Sequence, residues 1–170
     1  MTIPGEPTDD RPTPPFAAAP VEMTAGFLDF LRATIVWKVE GLDDDALRRS
    51  LVPSGVTLLG MVKHLAMVER FWFQIVFAGE DIRAFWTADD PDADWRVEPE
   101  DTTAGIIALY RDECARSRAI VAGADWGDLS RRPDYPHTLG WILTHMVEET
   151  ARHCGHADIL RELTDGVTGE

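Results

Sequence analysis

The chain has 170 residues, a formal net charge of −14 and a sequence pI of about 4.6. Its length fits one domain with its own core, and the 45% share of hydrophobic residues is a globular composition. A surface this acidic repels phosphate backbones and anionic lipids, so the composition disfavours nucleic-acid binding and membrane docking.

Residues 1–20 form a proline-rich N-terminal arm that holds six of the eleven prolines. Proline lacks an N–H donor and disrupts helix interiors, so this arm is predicted to be extended or disordered. Three interpretations remain open: the arm packs along the body, serves as a partner contact, or is a loose tail. The remaining residues, 21–170, are predicted to form the folded domain.

The first two long helices are predicted from apolar spacing and cap residues. The first helix follows Pro20 and carries apolar residues at helical spacing: Phe27, Leu28, Leu31, Ile35 and Val39. Gly41 and the acidic residues 43–45 end it and favour a short capped turn. Thr57 is predicted to cap the second helix, which extends from about residue 58 to 77.

The second half of the chain is predicted to hold two more helices and two loops. Residues 80–100 are acidic and irregular and are predicted to form a long loop over the bundle, a length that is often functional. Asp101 or Thr102 is predicted to cap a third helix that ends near residue 122, and residues 123–137 form a second loop. Thr138 caps the fourth helix. Four long helices without strand-like alternation predict an all-α fold, specifically a four-helix bundle.

Histidines concentrate on the fourth predicted helix. At about 100° per residue, His145, Glu149, His153 and His156 fall within roughly 80° of one another. Aliphatic residues share this stripe, so the stripe is predicted to point into the bundle. Polar groups placed in a core each need a partner.

The second helix offers such a partner in His64, which shares a face with Met61, Val68, Phe71 and Ile75. If the two helices face each other, His64 meets Glu149 and His153, because residues at i and i+4 lie one turn apart. Two imidazoles and one carboxylate with open positions are typical of a catalytic transition-metal site. The alternative is a core histidine with a hydrogen-bond partner, beside a surface Glu–His pair. Four of the five histidines on two matching faces favour the metal.

His145 and His156 are predicted to be catalytic residues. Either one replaces a ligand, or it orients a ligand or moves protons beside the metal. Arg152 and Arg161 are interpreted as members of surface ion pairs rather than as anion-binding groups. Cys154 lies about 100° around the helix from His153, so it is predicted to be a packed small residue and not a ligand.

Two cysteines, Cys114 and Cys154, are too few for a disulfide framework. The N-terminus lacks the basic start and apolar core of a secretory signal, and no apolar run approaches the roughly 20 residues that span a bilayer. We therefore expect a cytoplasmic protein with free thiols.

Several runs of the sequence resemble the DinB/YfiT-like superfamily, and within it the actinobacterial branch called mini-circle protein. The fourth helix carries the resemblance through residues 138–141, His145, residues 149–162 and the closing 165–166. The second helix agrees, with Pro-Ser-Gly at 53–55 followed by residues 58–65 and 68–73. The resemblance covers most of residues 23–168, and the proline-rich arm lies outside it.

This resemblance implies a four-helix bundle, usually a homodimer, that holds a divalent metal. The wider superfamily commonly uses three histidines, one from the second helix and a His-x-x-x-His pair from the fourth. Here Glu149 occupies the first position of that pair, with His153 as the second and His64 from the second helix. The metal is expected to be zinc, nickel, iron or manganese, and a carboxylate shifts the preference toward the last three.

Some members of the superfamily transfer a bacterial low-molecular-weight thiol such as mycothiol or bacillithiol, and others are isomerases or hydrolases. We therefore expect a metal-dependent enzyme that transfers a mycothiol-like thiol to a small-molecule electrophile. One alternative is a metal-dependent hydrolase that needs no thiol. Another is a non-enzymatic metal-binding stress or interaction protein, which a fourth protein ligand would favour because structural sites fill their coordination sphere.

Overall fold

The structure is a computed structural model, and it describes residues 10–169. No β-strand is present within these residues, so the predicted all-α class is confirmed. The helices in chain order are α1 Pro20–Val39, α2 Asp44–Arg48, α3 Leu58–Glu69, α4 Thr103–Val121 and α5 Leu139–Asp165.

Side-chain caps begin the helices at the predicted threonines. The Oγ1 atoms of Thr57, Thr102 and Thr138 each accept a hydrogen bond from the backbone N–H three residues later, at 3.0, 3.0 and 3.2 Å. Such a bond satisfies one of the N–H groups that a helix start leaves without a partner. Of the two caps considered for α4, the structure therefore has Thr102 and not Asp101.

The four long helices pack together around two apolar clusters. α1 packs against α5, α3 packs against α4, and α3 also contacts α5. One cluster gathers residues such as Ile35, Leu59, Leu65, Tyr110 and Leu160. The other gathers residues such as Leu28, Phe73, Val76, Leu143 and Met146. In the described part of the chain, none of the helices is both long and apolar enough to cross a membrane.

The second predicted helix differs from expectation in its last eight residues. α3 continues without a break into Arg70–Phe77, which is π-helical rather than α-helical. In this segment Arg70 and Gln74 both donate to the buried carboxylate of Glu113 on α4, with Arg70 Nε 2.9 Å from Oε1. The wider turn coincides with these tertiary contacts, which helical periodicity does not reveal.

The described part of the predicted arm, residues 10–19, lies along α1. The Arg11 guanidinium lies 4.5 Å from the ring centroid of Phe30 and 4.7 Å from that of Trp37. Among the three interpretations, these residues fit packing along the body. The first nine residues of the arm lie outside the described part of the chain.

Candidate metal centre

His64, Glu149 and His153, called the triad below, meet where α3 faces α5. One ligand atom from each side chain lies within 4.8 Å of the other two. Glu149 Oε1 is 3.3 Å from His153 Nε2 and 3.7 Å from His64 Nε2. The structure thus brings together the three side chains that the sequence predicts as metal ligands.

α5 places its polar residues differently from the predicted stripe. Its buried face carries residues at alternating spacings of three and four: Leu143, Met146, Thr150, His153, Ala157 and Leu160. His153 occupies a core position and is 6% exposed, whereas Glu149 lies beside this face and is half-buried. The expectation that all four polar residues of the stripe point inward is wrong for His156, which is exposed.

The donor set of the triad fits a divalent cation. Two ligand atoms about 2.1 Å from a tetrahedral ion lie roughly 3.4 Å apart, close to the observed 3.3 and 3.7 Å. Two imidazoles and one carboxylate leave further positions of such an ion for other ligands.

The electrostatics of His153 also suit a metal ligand. Burial lowers the pKa of His153, and the neighbouring His64 lowers it further, while Glu149 opposes the change. The imidazole is therefore held in its neutral form, which is the form that binds metals. Its Nδ1 is buried and has no hydrogen-bond partner among the described residues.

Asp94, in the loop of residues 78–102, is a functional candidate that the sequence reasoning missed. Its Oδ2 lies 2.7 Å from His64 Nδ1, and the residue is only 2% exposed. A carboxylate at this place favours the tautomer protonated on Nδ1 and turns the Nε2 lone pair toward Glu149. The only sequence signal was an acidic loop predicted to lie over the bundle, and residues 80–100 contain eight Asp and Glu residues.

The same loop fixes the His64 ring by stacking. Trp95 lies parallel to this ring, with centroids 3.9 Å apart and 15° between the planes. A Cβ on Gly60, one turn before His64, would lie 2.4 Å from the Trp95 carbonyl oxygen. Glycine at position 60 therefore allows the loop backbone to approach α3 closely enough for Asp94 to reach His64.

The two predicted catalytic histidines lie on either side of the triad. The ring of His145, one turn before Glu149, is 4.9 Å from the Trp72 ring and stacks on Trp141 at 5.1 Å. Burial lowers the pKa of His145, with Glu149 opposing. His156 lies with its ring 5.5 Å from the ring of His153. Within residues 10–169, neither histidine joins the triad as a fourth ligand candidate.

Most of the helical region resembles one known family. The sequence matches the family model described as mycothiol-S-transferase over residues 23–166. The chain belongs to the mycothiol S-transferase family. This is a DinB/YfiT-like family, so the resemblance inferred from the second and fourth helices is confirmed. No curated protein matches the chain.

The two cysteines of this mycothiol S-transferase family member are buried and free. Burial raises the pKa of Cys154 to about 12 and also raises that of Cys114. Thiols with such pKa values stay protonated near neutral pH, so neither is poised as a nucleophile. The prediction that Cys154 is a packed small residue is confirmed.

The two arginines of α5 each form an ion pair with an acidic residue of the same helix. Arg152 binds Glu148, and Arg161 Nε donates to Asp165 Oδ2 at 2.9 Å. The interpretation as a surface ion pair is confirmed for Arg152, which is exposed. Arg161 is mostly buried and also donates to two backbone carbonyls at the end of α1, so it does not form a simple surface pair, and Asp165 was not among the partners considered.

Proposed function

We propose that this protein transfers mycothiol, or a similar thiol, to a small electrophile at a divalent metal held by His64, Glu149 and His153. The observation that carries the proposal is the convergence of three ligand atoms within 4.8 Å. The proposal is supported by membership of the mycothiol S-transferase family over residues 23–166. Zinc, nickel, iron and manganese are the candidate metals for this donor set.

The chemistry needs a thiolate near neutral pH. When bound, a divalent cation supplies a Lewis acid that lowers the pKa of a thiol. Asp94 holds the His64 ring with its Nε2 lone pair toward the triad, and burial keeps His153 neutral. The contact with Asp94 thus orients the His64 ring, and burial keeps His153 in the neutral form that binds a cation.

The transfer step is a nucleophilic substitution. The sulfur lone pair forms a C–S bond while the bond from carbon to the leaving group breaks, and that group departs with the bonding electrons. The thiol proton passes to a neighbouring base, for which we propose His145 or His156. The lowered pKa of His145 leaves its imidazole neutral and able to accept this proton.

The test measures turnover of 1-chloro-2,4-dinitrobenzene with mycothiol by the metal-loaded protein, with Glu149→Gln as the deciding variant. We expect kcat/KM to fall more than about 100-fold in this variant, because a metal ligand is lost. Glu162→Gln is the matched control, since Glu162 is an exposed glutamate of the same helix, more than three turns beyond Glu149.

Three results would contradict the proposal. The first is the absence of thiol-dependent turnover with any of the four metals. The second is turnover that Glu149→Gln leaves unchanged. The third is hydrolysis of an ester that is as fast without mycothiol as with it. The last result would make the protein a hydrolase. The homodimer and the cytoplasmic location remain predictions, and sedimentation equilibrium tests the first of them.

A further inference from the structure

Five aromatic side chains form a continuous surface beside the triad. This aromatic face consists of Phe71, Trp72, Trp86, Tyr135 and Trp141. Neighbouring rings have centroids 5.3–6.4 Å apart, and the five pairs meet edge to face or tilted. The π-helical segment, both long loops and the first turn of α5 all contribute to the face.

The aromatic face lies at the edge of the second apolar cluster, and Phe71, Trp72 and Tyr135 pack against that cluster. Trp141 is 45% exposed, and the other four side chains are partly exposed. A contiguous apolar surface on a soluble domain usually marks a binding site. On a chain with a formal net charge of −14, a cluster of partly exposed aromatic rings is a local exception.

Close packing of the second loop holds the aromatic face in place. A Cβ on Gly140 would lie 2.2 Å from the Trp126 ring, so glycine lets this loop lie directly against the start of α5. The Gly140 N–H also donates to the Trp126 carbonyl at 2.9 Å. This docking keeps Tyr135 beside Trp72, with centroids 6.4 Å apart.

The face continues directly into the proposed metal site. His145 contacts both Trp72 and Trp141 and lies one turn before Glu149. Trp72 follows His64 by eight residues, which corresponds to about 12 Å along a helix. His145 is therefore the side chain that connects the aromatic face with the proposed metal site.

We propose that the aromatic face binds the electrophile and that this electrophile is a planar aromatic compound. This inference rests on the proposed function, because it names the second substrate of the transfer. Aromatic pairs in stacked or edge-to-face geometry add about 2- to 10-fold in affinity beyond simple area burial. Flat rings gain this contribution from the face and saturated rings of the same size do not.

The test compares binding of 2-naphthol with that of decahydro-2-naphthol, its saturated analogue, by calorimetry on the full-length protein without any thiol. The protein is used without added metal and after treatment with a chelator. 2-Naphthol is a phenol and binds a cation more strongly than the alkyl alcohol does, so a bound metal would otherwise favour it for a reason other than ring stacking. We expect 2-naphthol to bind about tenfold more tightly. No turnover is needed, so failure of the transferase proposal and failure of this one are distinguishable.

Variants locate the binding site. Trp141→Leu is expected to weaken 2-naphthol binding about tenfold, whereas Trp141→Phe keeps a ring and most of the affinity. Trp37→Leu is the matched control, because Trp37 is 37% exposed on α1 and contacts Arg11 and Lys38 instead. Circular dichroism checks that each variant is folded.

Equal affinity for the two probes would overturn the proposal, as would equal losses in Trp141→Leu and Trp37→Leu. A protein that sediments as a dimer, becomes monomeric in Trp141→Leu and binds neither probe would also overturn it. In that case the aromatic face would be covered by a second copy of the chain.

Discussion

Polar side chains are buried in two regions of this helical fold, and the two regions differ in how their charged side chains are paired. The first, the ion-pair layer, consists of Arg32, Glu69, Arg70, Gln74 and Glu113. Arg32 donates to both carboxylate oxygens of Glu69, at 2.7 and 2.6 Å, and Arg70 and Gln74 both donate to Glu113. Burial lowers the pKa of Arg32, but the attraction and hydrogen bonds of Glu69 raise it overall.

The triad is the second region, and its carboxylates lack a basic partner of the kind seen in the first. Glu149 and Asp94 pair only with the imidazoles of His64 and His153, and neither forms an ion pair with an Arg or Lys side chain of the described residues. Three ligand atoms lie within 4.8 Å of one another, and His153 Nδ1 has no hydrogen-bond partner among the described residues. In the ion-pair layer, which joins α1, α3 and α4, each carboxylate is bound by an arginine, whereas the triad has no arginine or lysine partner and is open to a cation.

This comparison predicts the largest effect on stability at Glu69. Glu69→Gln leaves the buried Arg32 without its main counter-charge, so the free energy of unfolding should fall by about 3 kcal/mol in urea titrations. Combining Arg32→Met with Glu69→Leu removes both charges, and this double variant should be more stable than Glu69→Gln alone. Two results would contradict the contrast between the ion-pair layer and the triad. Glu69→Gln could be more stable than the double variant, or it could lose metal affinity while it remains folded.

Glu149→Gln should show the opposite pattern. A competition titration with a chelator should report a loss of metal affinity of more than about 100-fold, since even indirect partners of a metal are worth 10- to 100-fold. The free energy of unfolding of the metal-free protein should change by less than about 1 kcal/mol, because Glu149 is half-buried and weakly paired. A large loss of stability in the metal-free protein would instead place Glu149 with the structural groups.

Asp94 should have an intermediate effect, because it acts on the metal through His64. Asp94→Asn should weaken metal affinity about 10- to 100-fold in the same titration. The exposed Asp92, two residues earlier in the loop, provides the control Asp92→Asn. Gly60→Ala should reproduce part of the loss by displacing the loop. Unchanged affinity in both Asp94→Asn and Gly60→Ala would show that His64 needs no support from the loop.

The smallest predicted effect is on the pH dependence of folding. The pKa of His153 is lowered from 6.5 in the folded protein. The stability linked to this group is therefore fully present above about pH 6.5 and is lost as the pH falls through the lowered pKa. Urea unfolding of the metal-free protein at about pH 7.5 and 5.5 should show a larger loss for the wild type than for His153→Gln. Equal losses of unfolding free energy in the wild type and in His153→Gln would mean that His153 has the same pKa in the folded and the unfolded protein.

The sequence predicts the framework well because its signals are local. Apolar spacing and capping threonines such as Thr57 and Thr138 depend on neighbours within one or two turns. The pairing of His64 with Glu149 and His153 was also predictable, since two regular helices that face each other leave few arrangements for polar side chains on their inner faces.

Other features depend on contacts that no local pattern encodes. Asp94 is one of eight acidic residues in residues 80–100, and only the close approach of the loop to Gly60 singles it out. The outward position of His156 follows from the exact rotation of α5, which a wheel with steps of about 100° resolves only coarsely. The π-helical segment coincides with contacts to Glu113 on a helix about 40 residues later.

The metal itself is tested most directly by elemental mass spectrometry on protein purified without a histidine tag. We expect about one divalent metal per chain in the wild type and in Glu162→Gln, and almost none in His64→Ala and Glu149→Gln that remain folded. The absence of metal from the wild type, even after incubation with zinc, nickel, manganese and ferrous iron, would contradict the proposed site. Full metal content in both His64→Ala and Glu149→Gln would contradict it equally.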